Sequence, residues 1–443
     1  MRKSLKAIAL LIAALMTASA ALTGCASGGT AASSGGAASP TNGESAAATG
    51  QKTKISYWSF HTNEEKKFMA SLGGKYSKAN PNVEVDYQNF PEADYMGTKL
   101  TTAFAADAGP DVFVMSSGDF LKYANSGVAM DLTSYFTDKI KSDFLQSTID
   151  GVSVDNKIVG IPFEVELLGL YYNKDMFKAA NLNPPKTWDE LVSDTKALTK
   201  DKVAGLIAEP SKGYYQNFTW YPFLWQTGAN VLDAQKKVGT FDSEGAQKAL
   251  KLWGDLVKAG APSKLSIPLS NDVSLLGQGQ AAMQICGTWA IPTLEQKYPK
   301  ANIGLVPLPI PDGGTAKTCA GGWKILVNSK SKNADAAAKF AMWAFAEDIN
   351  VPLEWCTKVK FAYSPRKSVV EAGKSVYSQG LRKVFTDEIY SSAIPEPRYP
   401  AEIVNAVGDA LQNVMLNNGD PKKETGNANQ KINDFLKTYN GSL

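Results

Sequence analysis

Hydrophobic residues along the chain switch repeatedly between the two-residue period of a strand and the spacing of a helix. After Thr62, large apolar residues recur every four positions, which indicates a helix, and residues 83–87 then alternate as in a strand. In residues 111–115 an aspartate precedes four apolar residues, which is typical of a buried strand, and Thr187 to Glu190 fits the capping box that opens a helix. Strands that alternate with helices predict an α/β fold.

The first fifty residues carry the pattern of an exported and tethered protein. A positively charged start precedes an apolar stretch too short to span a bilayer comfortably, so residues 1–24 are predicted to be a signal peptide. The small residues before Cys25 resemble the lipobox of bacterial lipoproteins, which implies a lipid anchor on the Cys25 sulfur. The alternative is an ordinary secretory signal that contains a cysteine. Residues 25–52 hold almost no large apolar or charged side chain, which predicts a flexible linker.

The length and net charge of the chain limit the class of protein it can be. The 443-residue chain has 46 basic and 43 acidic side chains, and removal of Arg2, Lys3 and Lys6 with the signal leaves 43 of each. A chain of neutral net charge has no bulk electrostatic attraction to nucleic acid, so no nucleic-acid partner is expected. A chain of this length is longer than a single hydrophobic core usually accommodates, which predicts two lobes or domains.

Three cysteines remain after lipidation, namely Cys286, Cys319 and Cys356. An odd number outside the cell predicts one disulfide and one buried free thiol. Their spacings match no zinc pattern, and we expect neither a metal nor a cofactor.

Several segments, by their order and spacing, resemble the extracellular solute-binding proteins of ABC transporters, specifically the carbohydrate-binding group similar to maltose-binding protein. The segments are residues 109–112, 126–132, 160–162, 170–177, 184–191, 279–283, 287–289, 321–322, 333–345 and 364–366. The resemblance implies a two-lobed, periplasmic-binding-protein-like fold with a hinge and a ligand cleft between the lobes. Lobe one would comprise residues 53–164 and 325–371, and lobe two residues 165–324 and 372–443.

The resemblance also places two cysteines beside the cleft. Because Cys286 and Cys319 both lie next to strands predicted to border it, they are the first choice for the disulfide, ahead of pairs that involve Cys356. Cys356 would then be the free thiol.

Tryptophans are the leading candidates for contact with a ligand. A pyranose has an apolar face and a rim of hydroxyls, which suit a flat aromatic ring with polar groups at its edge. The candidates are Trp58, Trp220, Trp289 and Trp323, all beside turn-forming or Gly-rich sequence. Trp289 matches a position that stacks on sugar in relatives, while the alternative for each tryptophan is a place in the core.

Two carboxylates are predicted to accept hydrogen bonds from the ligand. Glu166 precedes the 170–177 segment where sugar-binding relatives place such a carboxylate. Glu164 lies on the same face of an extended segment, so one of the pair can instead be a solvated hinge carboxylate. His61, the only histidine, lies in a loop that faces the cleft in relatives, although a lone histidine is more often a satisfied polar residue.

The remaining polar candidates are less sharply defined. Ser117 and Asp119 follow a predicted strand at the end where α/β sheets bind ligands, and the sequence does not choose between them. Tyr215 and Asn217 match a loop that often contributes a ring and an amide in relatives. Arg366 either reaches the cleft or pins the crossing between the lobes.

These features predict a lipid-anchored, monomeric receptor outside the cell that captures a sugar or oligosaccharide and delivers it to the permease of an ABC importer. The alternatives are a non-sugar solute, such as a polyamine or a glycerol phosphate, a carbohydrate-binding adhesin, and a secreted glycoside hydrolase. The hydrolase would need Glu164 and Glu166 to flank its substrate, whereas residues on one face of a strand line a single wall. We therefore expect no enzymatic activity.

Overall fold

The computed structural model of the chain describes residues 52–267 and 269–443. The predicted signal peptide, the lipidation site at Cys25 and the linker up to residue 51 lie outside the described residues. In the part of the chain that is described, no helix is both long and apolar enough to cross a membrane.

Strands and helices alternate along most of the chain. The strands are β1 (Thr53–Ser59), β2 (Val83–Asn89), β3 (Val112–Ser116), β4 (Ser153–Val154), β5 (Lys157–Ile158), β6 (Ile161–Pro162), β7 (Glu166–Asn173), β8 (Ala204–Ile207), β9 (Leu232–Asp233), β10 (Val238–Gly239), β11 (Ala281–Gly287), β12 (Ile303–Val306), β13 (Thr318–Gly321), β14 (Trp323–Val327) and β15 (Ala393–Pro395).

The α-helices are α1 (Asn63–Ala79), α2 (Glu92–Asp94), α3 (Leu100–Ala105), α4 (Phe120–Asn125), α5 (Asp138–Asp143), α6 (Gln146–Asp150), α7 (Lys174–Ala180), α8 (Trp188–Leu198), α9 (Tyr214–Gln226), α10 (Glu244–Ala259), α11 (Ser274–Gly277), α12 (Ala290–Lys297), α13 (Ala334–Met342), α14 (Asn350–Glu354), α15 (Lys367–Tyr377), α16 (Gly380–Val384), α17 (Ala401–Leu416) and α18 (Pro421–Leu436). Turns of π-helix lie at Tyr95–Lys99, Trp343–Glu347, Trp355–Val359 and Phe385–Ile389, and 3-10 turns at Thr133–Tyr135 and Tyr390–Ser392.

The elements predicted from hydrophobic period are confirmed. The helix expected after Thr62 is α1, and the two predicted strands are β2 and β3, the latter buried at every position. Thr187 caps α8 because its side-chain oxygen accepts a hydrogen bond from the Glu190 amide at 3.2 Å. The Glu190 carboxylate in turn accepts one from the Thr187 amide at 3.1 Å, which completes the capping box.

The first sheet has the strand order β2-β1-β3-β14-β6. Strands β1, β2 and β3 are parallel, so their carboxyl ends meet at one edge. Strand β14 runs antiparallel to β3, with Trp323 opposite Ser116, and its amino end therefore lies at the same edge. Strand β6 is antiparallel to β14 and also ends there.

The second sheet has the order β15-β13-β7-β11-β8, with β12 also paired to β7. Glu166, at the amino end of β7, lies opposite Gly321 at the carboxyl end of β13. On the other side of β7, Gly287 at the carboxyl end of β11 pairs with Leu168. One edge of this sheet therefore gathers the amino end of β7 and the carboxyl ends of β11, β13 and β15.

Separate apolar cores lie around the two sheets. The first core draws its buried residues from positions 55–163 and 323–356, and the second from α8 to α10, β11, α17 and α18. A third cluster, around β7, β11 and β12, also contains Phe361 and Tyr363. Both were expected in lobe one, and Trp323 of the first core was expected in lobe two. The predicted residue limits of the lobes remain a prediction. The cores differ from those limits at Trp323 and at Phe361 and Tyr363.

The chain passes between the sheets at close-packed segments. Strand β13 leads to β14 through Gly322 alone, and a second connection from β6 to β7 is bridged to Tyr363 by mutual backbone hydrogen bonds with Val165. Gly322 has φ +107°, and a Cβ atom there would lie 2.2 Å from the Glu164 carbonyl oxygen. Only glycine allows this approach, so the crossing depends on it.

The predicted disulfide is wrong, because Cys286, Cys319 and Cys356 are all buried free thiols. Strand β7 lies between β11, which carries Cys286, and β13, which carries Cys319. Two strand spacings amount to about 9.5 Å, whereas a disulfide joins Cα atoms that are usually less than about 7 Å apart. Cys356 belongs to the first core, away from both.

Candidate functional site

Polar and aromatic side chains are concentrated where the facing edges of the two sheets meet. From the first sheet, the carboxyl ends of β1, β2 and β3 lead directly to His61, Glu92 and Ser117. From the second, the carboxyl ends of β11 and β15 lead to Trp289 and Glu396. Ligands of α/β proteins bind at such strand ends, so we take this cleft as the candidate site.

The wall on the first sheet is built from aromatic rings. Trp323 is 8% exposed and packs on Phe60, with ring centroids 4.3 Å apart. Trp58 is half buried beside Phe90, at 4.8 Å, and Lys99 Nζ lies 5.4 Å from its ring centroid. Because lysine covers part of the Trp58 ring, less of its face is free than the sequence suggested.

The wall on the second sheet is centred on Trp289, which keeps part of its surface exposed. Its ring lies near Tyr215 and Phe218, at centroid distances of 6.2 and 6.4 Å, and its Nε1 donates a hydrogen bond to the Asn271 carbonyl at 3.0 Å. A Cβ atom at Gly287 would lie 1.8 Å from the indole. The absence of a side chain at Gly287 therefore lets the Trp289 ring approach the end of β11 closely.

Two predicted ligand residues on α9 lie away from the cleft. Trp220 is fully buried and donates its Nε1 hydrogen bond to the Ala249 carbonyl of α10. Asn217 donates to the Val404 carbonyl of α17 at 3.0 Å and is 2% exposed. Residues three apart share one face of a helix, so Asn217 and Trp220 face the other helices while Tyr215 and Phe218 face Trp289.

A buried ion cluster lies behind the cleft at the crossing. Lys360 Nζ contacts Glu164 Oε1 at 2.8 Å and Glu166 Oε1 at 2.7 Å, and Trp355 Nε1 donates to the other Glu164 oxygen. Burial alone would lower the pKa of Lys360, but the two carboxylates outweigh it and raise that pKa above its ordinary value. Burial raises the pKa of Glu166 to about 8. Both carboxyl groups are thus held by Lys360, that of Glu164 also by Trp355, while Glu166 is the first residue of β7.

His61 is buried next to this cluster. Its Nδ1 lies 3.2 Å from Glu65 Oε2, and its ring packs 5.0 Å from both Phe60 and Trp355. Its Nε2 is buried without a hydrogen-bond partner among the described residues. This nitrogen is the one polar atom of the histidine left to meet a ligand.

A second set of polar residues comes from both sheets and lies across the cleft. Ser117 Oγ donates to the Gly322 carbonyl at 3.3 Å, and a Cβ atom at Gly118 would lie 3.0 Å from Glu396 Oε1. Burial raises the pKa of Glu396 to about 8 and lowers the pKa of Lys324 to about 8, and each partly offsets the other through its charge. Burial also raises the pKa of Asp119, two residues after Ser117.

Arg366 is buried, with its guanidinium held by other residues of the chain. Its Nε donates to Asp143 Oδ2 at 2.8 Å and its Nη1 to the Asp348 carbonyl at 3.0 Å, and the residue is 6% exposed. It thereby ties the start of α15 to α5, and its role at the crossing between the lobes stays a prediction.

The sequence interpretation missed Lys324, Lys360, Glu92 and Glu396. Lys324 carried a usable signal, since it is a charge inside the otherwise apolar strand β14. Glu396 stands between two prolines, a pattern that indicates a rigid turn but no particular role. Within the described residues, no group of three His, Cys, Asp or Glu side chains is placed to hold a metal ion.

Two α/β sheets with separate cores, short crossings and a polar cleft at their facing edges define a two-lobed binding protein. Residues 61–351 match the family model described as bacterial extracellular solute-binding protein. Because this match covers more than half of the chain, the protein belongs to that family.

Individual relatives agree with the family assignment. The multiple sugar-binding protein of Streptococcus mutans is 27% identical over 353 residues, which is 70% of this chain and 80% of that protein. A solute-binding protein of an ABC transporter from Thermotoga lettingae, solved with α-D-tagatose, has a TM-score of 0.78 at 23% identity, over 87% of this chain and all of that one. The GacH receptor of Streptomyces glaucescens, solved unliganded and with acarbose, has a TM-score of 0.75 at 25% identity, over 88% and 99%.

Proposed function

We propose that this extracellular solute-binding protein captures a sugar in the cleft between its lobes and delivers it to the permease of an ABC importer. The relatives from Streptococcus mutans, Thermotoga lettingae and Streptomyces glaucescens are named for, or solved with, sugars or acarbose. The lipobox-like sequence at Cys25 supports a lipid anchor on the outer face of the cell membrane. The protein would act as a monomer that displays both lobes to the permease.

The observation that carries the sugar assignment is an aromatic wall on each side of a cleft that also contains charged and amide groups. Trp289 and Tyr215 supply flat apolar surface from one sheet, and Trp323 supplies it from the other. Glu166 and Asp119 can accept hydrogen bonds from hydroxyl groups at the rim of a pyranose. This combination suits a neutral ring with two unlike faces better than it suits a polyamine or a phosphate.

The same geometry argues against a glycoside hydrolase. Such an enzyme places one carboxylate on each side of the scissile bond. Glu164 and Glu166 instead bind the same Lys360 ammonium from the same crossing segment, at 2.8 and 2.7 Å. Two carboxylates fixed on one cation cannot flank a substrate, and we propose that the protein binds its sugar without chemical change.

A thermal-shift screen tests this proposal. The purified protein is heated with mono- and oligosaccharides, with polyamines, glycerol phosphate and amino acids as controls. Ligand at one hundred times its dissociation constant should add about 2.7 kcal/mol of stability. A shift with sugars alone, and unchanged sugar by chromatography, supports the proposal. A shift with polyamine or glycerol phosphate alone contradicts the sugar assignment, and released monosaccharide contradicts the absence of catalysis.

A further inference from the structure

We propose that Lys324 and Glu396, which come from the two sheets and lie near each other at the crossing, bind neighbouring hydroxyl groups of the sugar and select for a neutral ligand. The inference rests on the sugar binding proposed above and adds two residues that recognise the hydroxyl groups. We refer to these two residues as the central pair.

Lys324 brings an ammonium group to the cleft edge of the first sheet. It is the second residue of β14, and its Nζ turns back to donate a hydrogen bond to the Gly322 carbonyl at 3.2 Å. The Ser117 hydroxyl donates to the same carbonyl at 3.3 Å, so the ammonium lies beside the carboxyl end of β3. An ammonium has three donors, and this is the one hydrogen bond that Nζ makes among the described residues.

Glu396 brings a carboxyl group to the crossing from the second sheet. It follows β15, and its amide donates to the Ala320 carbonyl of β13 at 3.0 Å. Its side chain lies over two glycines, because a Cβ atom would be 3.0 Å from Oε1 at Gly118 and 3.3 Å from Oε2 at Gly321. Gly118 follows β3 of the first sheet, so the carboxyl group lies between the lobes, and the residue is partly exposed.

The central pair lies between the two aromatic walls. The Phe218 ring also covers Gly321, since a Cβ atom there would lie 2.4 Å from the ring, and the Phe218 and Trp289 centroids are 6.4 Å apart. On the first sheet, Lys324 directly follows Trp323. A sugar ring stacked on either wall would therefore turn the hydroxyl groups at its rim toward the central pair.

Both members of the central pair have hydrogen-bonding capacity left for a ligand. The Ser117 hydroxyl can donate to Glu396 as well as to the Gly322 carbonyl, but it carries a single proton. Burial lowers the pKa of Lys324 to about 8 and raises the pKa of Glu396 to about 8, so neither charge fully compensates the other. Hydroxyl groups that accept from Lys324 and donate to Glu396 would stabilise both charges.

The opposite charges of the central pair determine which ligands it favours. Lys324 repels a polyamine and Glu396 repels a phosphate, whereas a hydroxyl group can both donate and accept. The charges of Glu164 and Glu166 also act on Lys324, but both carboxyl groups are held by Lys360. We therefore expect selectivity for a neutral sugar that has two adjacent free hydroxyl groups.

Calorimetry on variants of the central pair tests this assignment. Affinities are measured for glucose, galactose, mannose and xylose, for their oligomers of two to six units, and for monodeoxy derivatives of the tightest binder. We expect Lys324→Met and Glu396→Ala each to weaken binding of that sugar by about tenfold or more. Lys358→Met and Glu402→Ala, which remove exposed charges, are the matched controls and should leave its affinity unchanged.

The monodeoxy derivatives distinguish direct contact from a structural role. The wild type should bind at least one of them about tenfold more weakly than the parent sugar. In the variant that lacks the partner of the missing hydroxyl, the same derivative and the parent sugar should differ by less than about threefold, because that hydrogen bond is already lost. A purely structural role would leave the full difference in place.

The outcomes separate this inference from the sugar assignment. Equal affinity of the wild type and both variants, with near-ultraviolet circular dichroism showing that the variants are folded, overturns the role of the central pair and leaves sugar binding standing. An undiminished difference between parent and deoxy sugars in both variants also overturns it. If Lys324→Met does not fold, Glu396→Ala decides by itself, since Glu396 is partly exposed. Failure of every saccharide to bind overturns the proposed function and this inference together.

Discussion

Replacement of Lys360 by methionine is the sharpest perturbation of the crossing between the lobes. The Lys360 side chain is 7% exposed, and its ammonium contacts two carboxyl groups, at 2.8 and 2.7 Å. At an effective dielectric constant of about 20, a contact with an ionised carboxylate at this distance contributes about 6 kcal/mol of attraction, of which desolvation cancels several kcal/mol per ion. Removal of one partner of a buried pair typically costs about 3–5 kcal/mol, because the remaining charge is left without compensation. We expect Lys360→Met to lower the free energy of unfolding by that amount at pH 7.

The loss should depend on pH in a direction fixed by Glu166. Its pKa is raised to about 8 in the folded protein, above the ordinary value of 4.5, so the folded state binds more protons between these values. Stability therefore falls as the pH rises through this window and levels off above about pH 8. Lys360→Met removes the cation that lowers the pKa of Glu166, so in the variant the fall should continue to higher pH. The cost of the substitution should be smaller at pH 5 than at pH 9.

Urea denaturation followed by circular dichroism at pH 5, 7 and 9 measures both effects. Lys358→Met removes an exposed lysine two residues away and should change stability by less than about 0.5 kcal/mol. A loss below about 1 kcal/mol at pH 7 for Lys360→Met would show that water or rearrangement compensates the carboxylates. An equal loss at pH 5 and pH 9 would refute the assigned role of Glu166.

Three further predictions concern the cleft and the thiols. Trp289→Ala should weaken sugar binding by about 1–3 kcal/mol, measured by calorimetry. Trp220→Phe, at a buried position, should lower stability more than it lowers affinity. A larger loss of affinity for Trp220→Phe than for Trp289→Ala would show that the wrong tryptophan has been assigned to the cleft. Glu396→Gln should flatten the fall in stability between pH 4.5 and 8, because its raised pKa makes the folded state bind the additional proton there; an unchanged pH profile contradicts this. After denaturation in the absence of a reductant, a thiol reagent should modify Cys286, Cys319 and Cys356. Modification of fewer than three of these cysteines would indicate a disulfide.

Much of the architecture follows from the sequence alone. The period of apolar residues predicted α1, β2 and β3, and the pair Thr187 and Glu190 predicted the start of α8, because these signals act within a few residues of one another. The order of the family-like segments was enough to predict the two-lobed α/β fold and the family. The family resemblance pointed to Trp289, whose ring the structure places near Tyr215 and Phe218, and its contact with a sugar stays a prediction.

Contacts between distant residues were decided only by the tertiary structure. The strand order places β7 between Cys286 and Cys319 and so separates two thiols that seemed natural partners in the sequence. The helical period of α9 turns Trp220 into the core while it brings Tyr215 toward Trp289, a distinction that depended on knowing that the segment is a helix.

The charged residues were likewise predicted in part from the sequence, while their partners were decided by the tertiary structure. Glu164 and Glu166 were candidates from local position, but their separate places depend on Lys360, nearly two hundred residues later in the chain. Glu92 and Tyr214 likewise meet only because two lobes close on each other. Local sequence sets the period and the caps of each element, whereas burial and the partner of each charge depend on which distant segments the packing brings together.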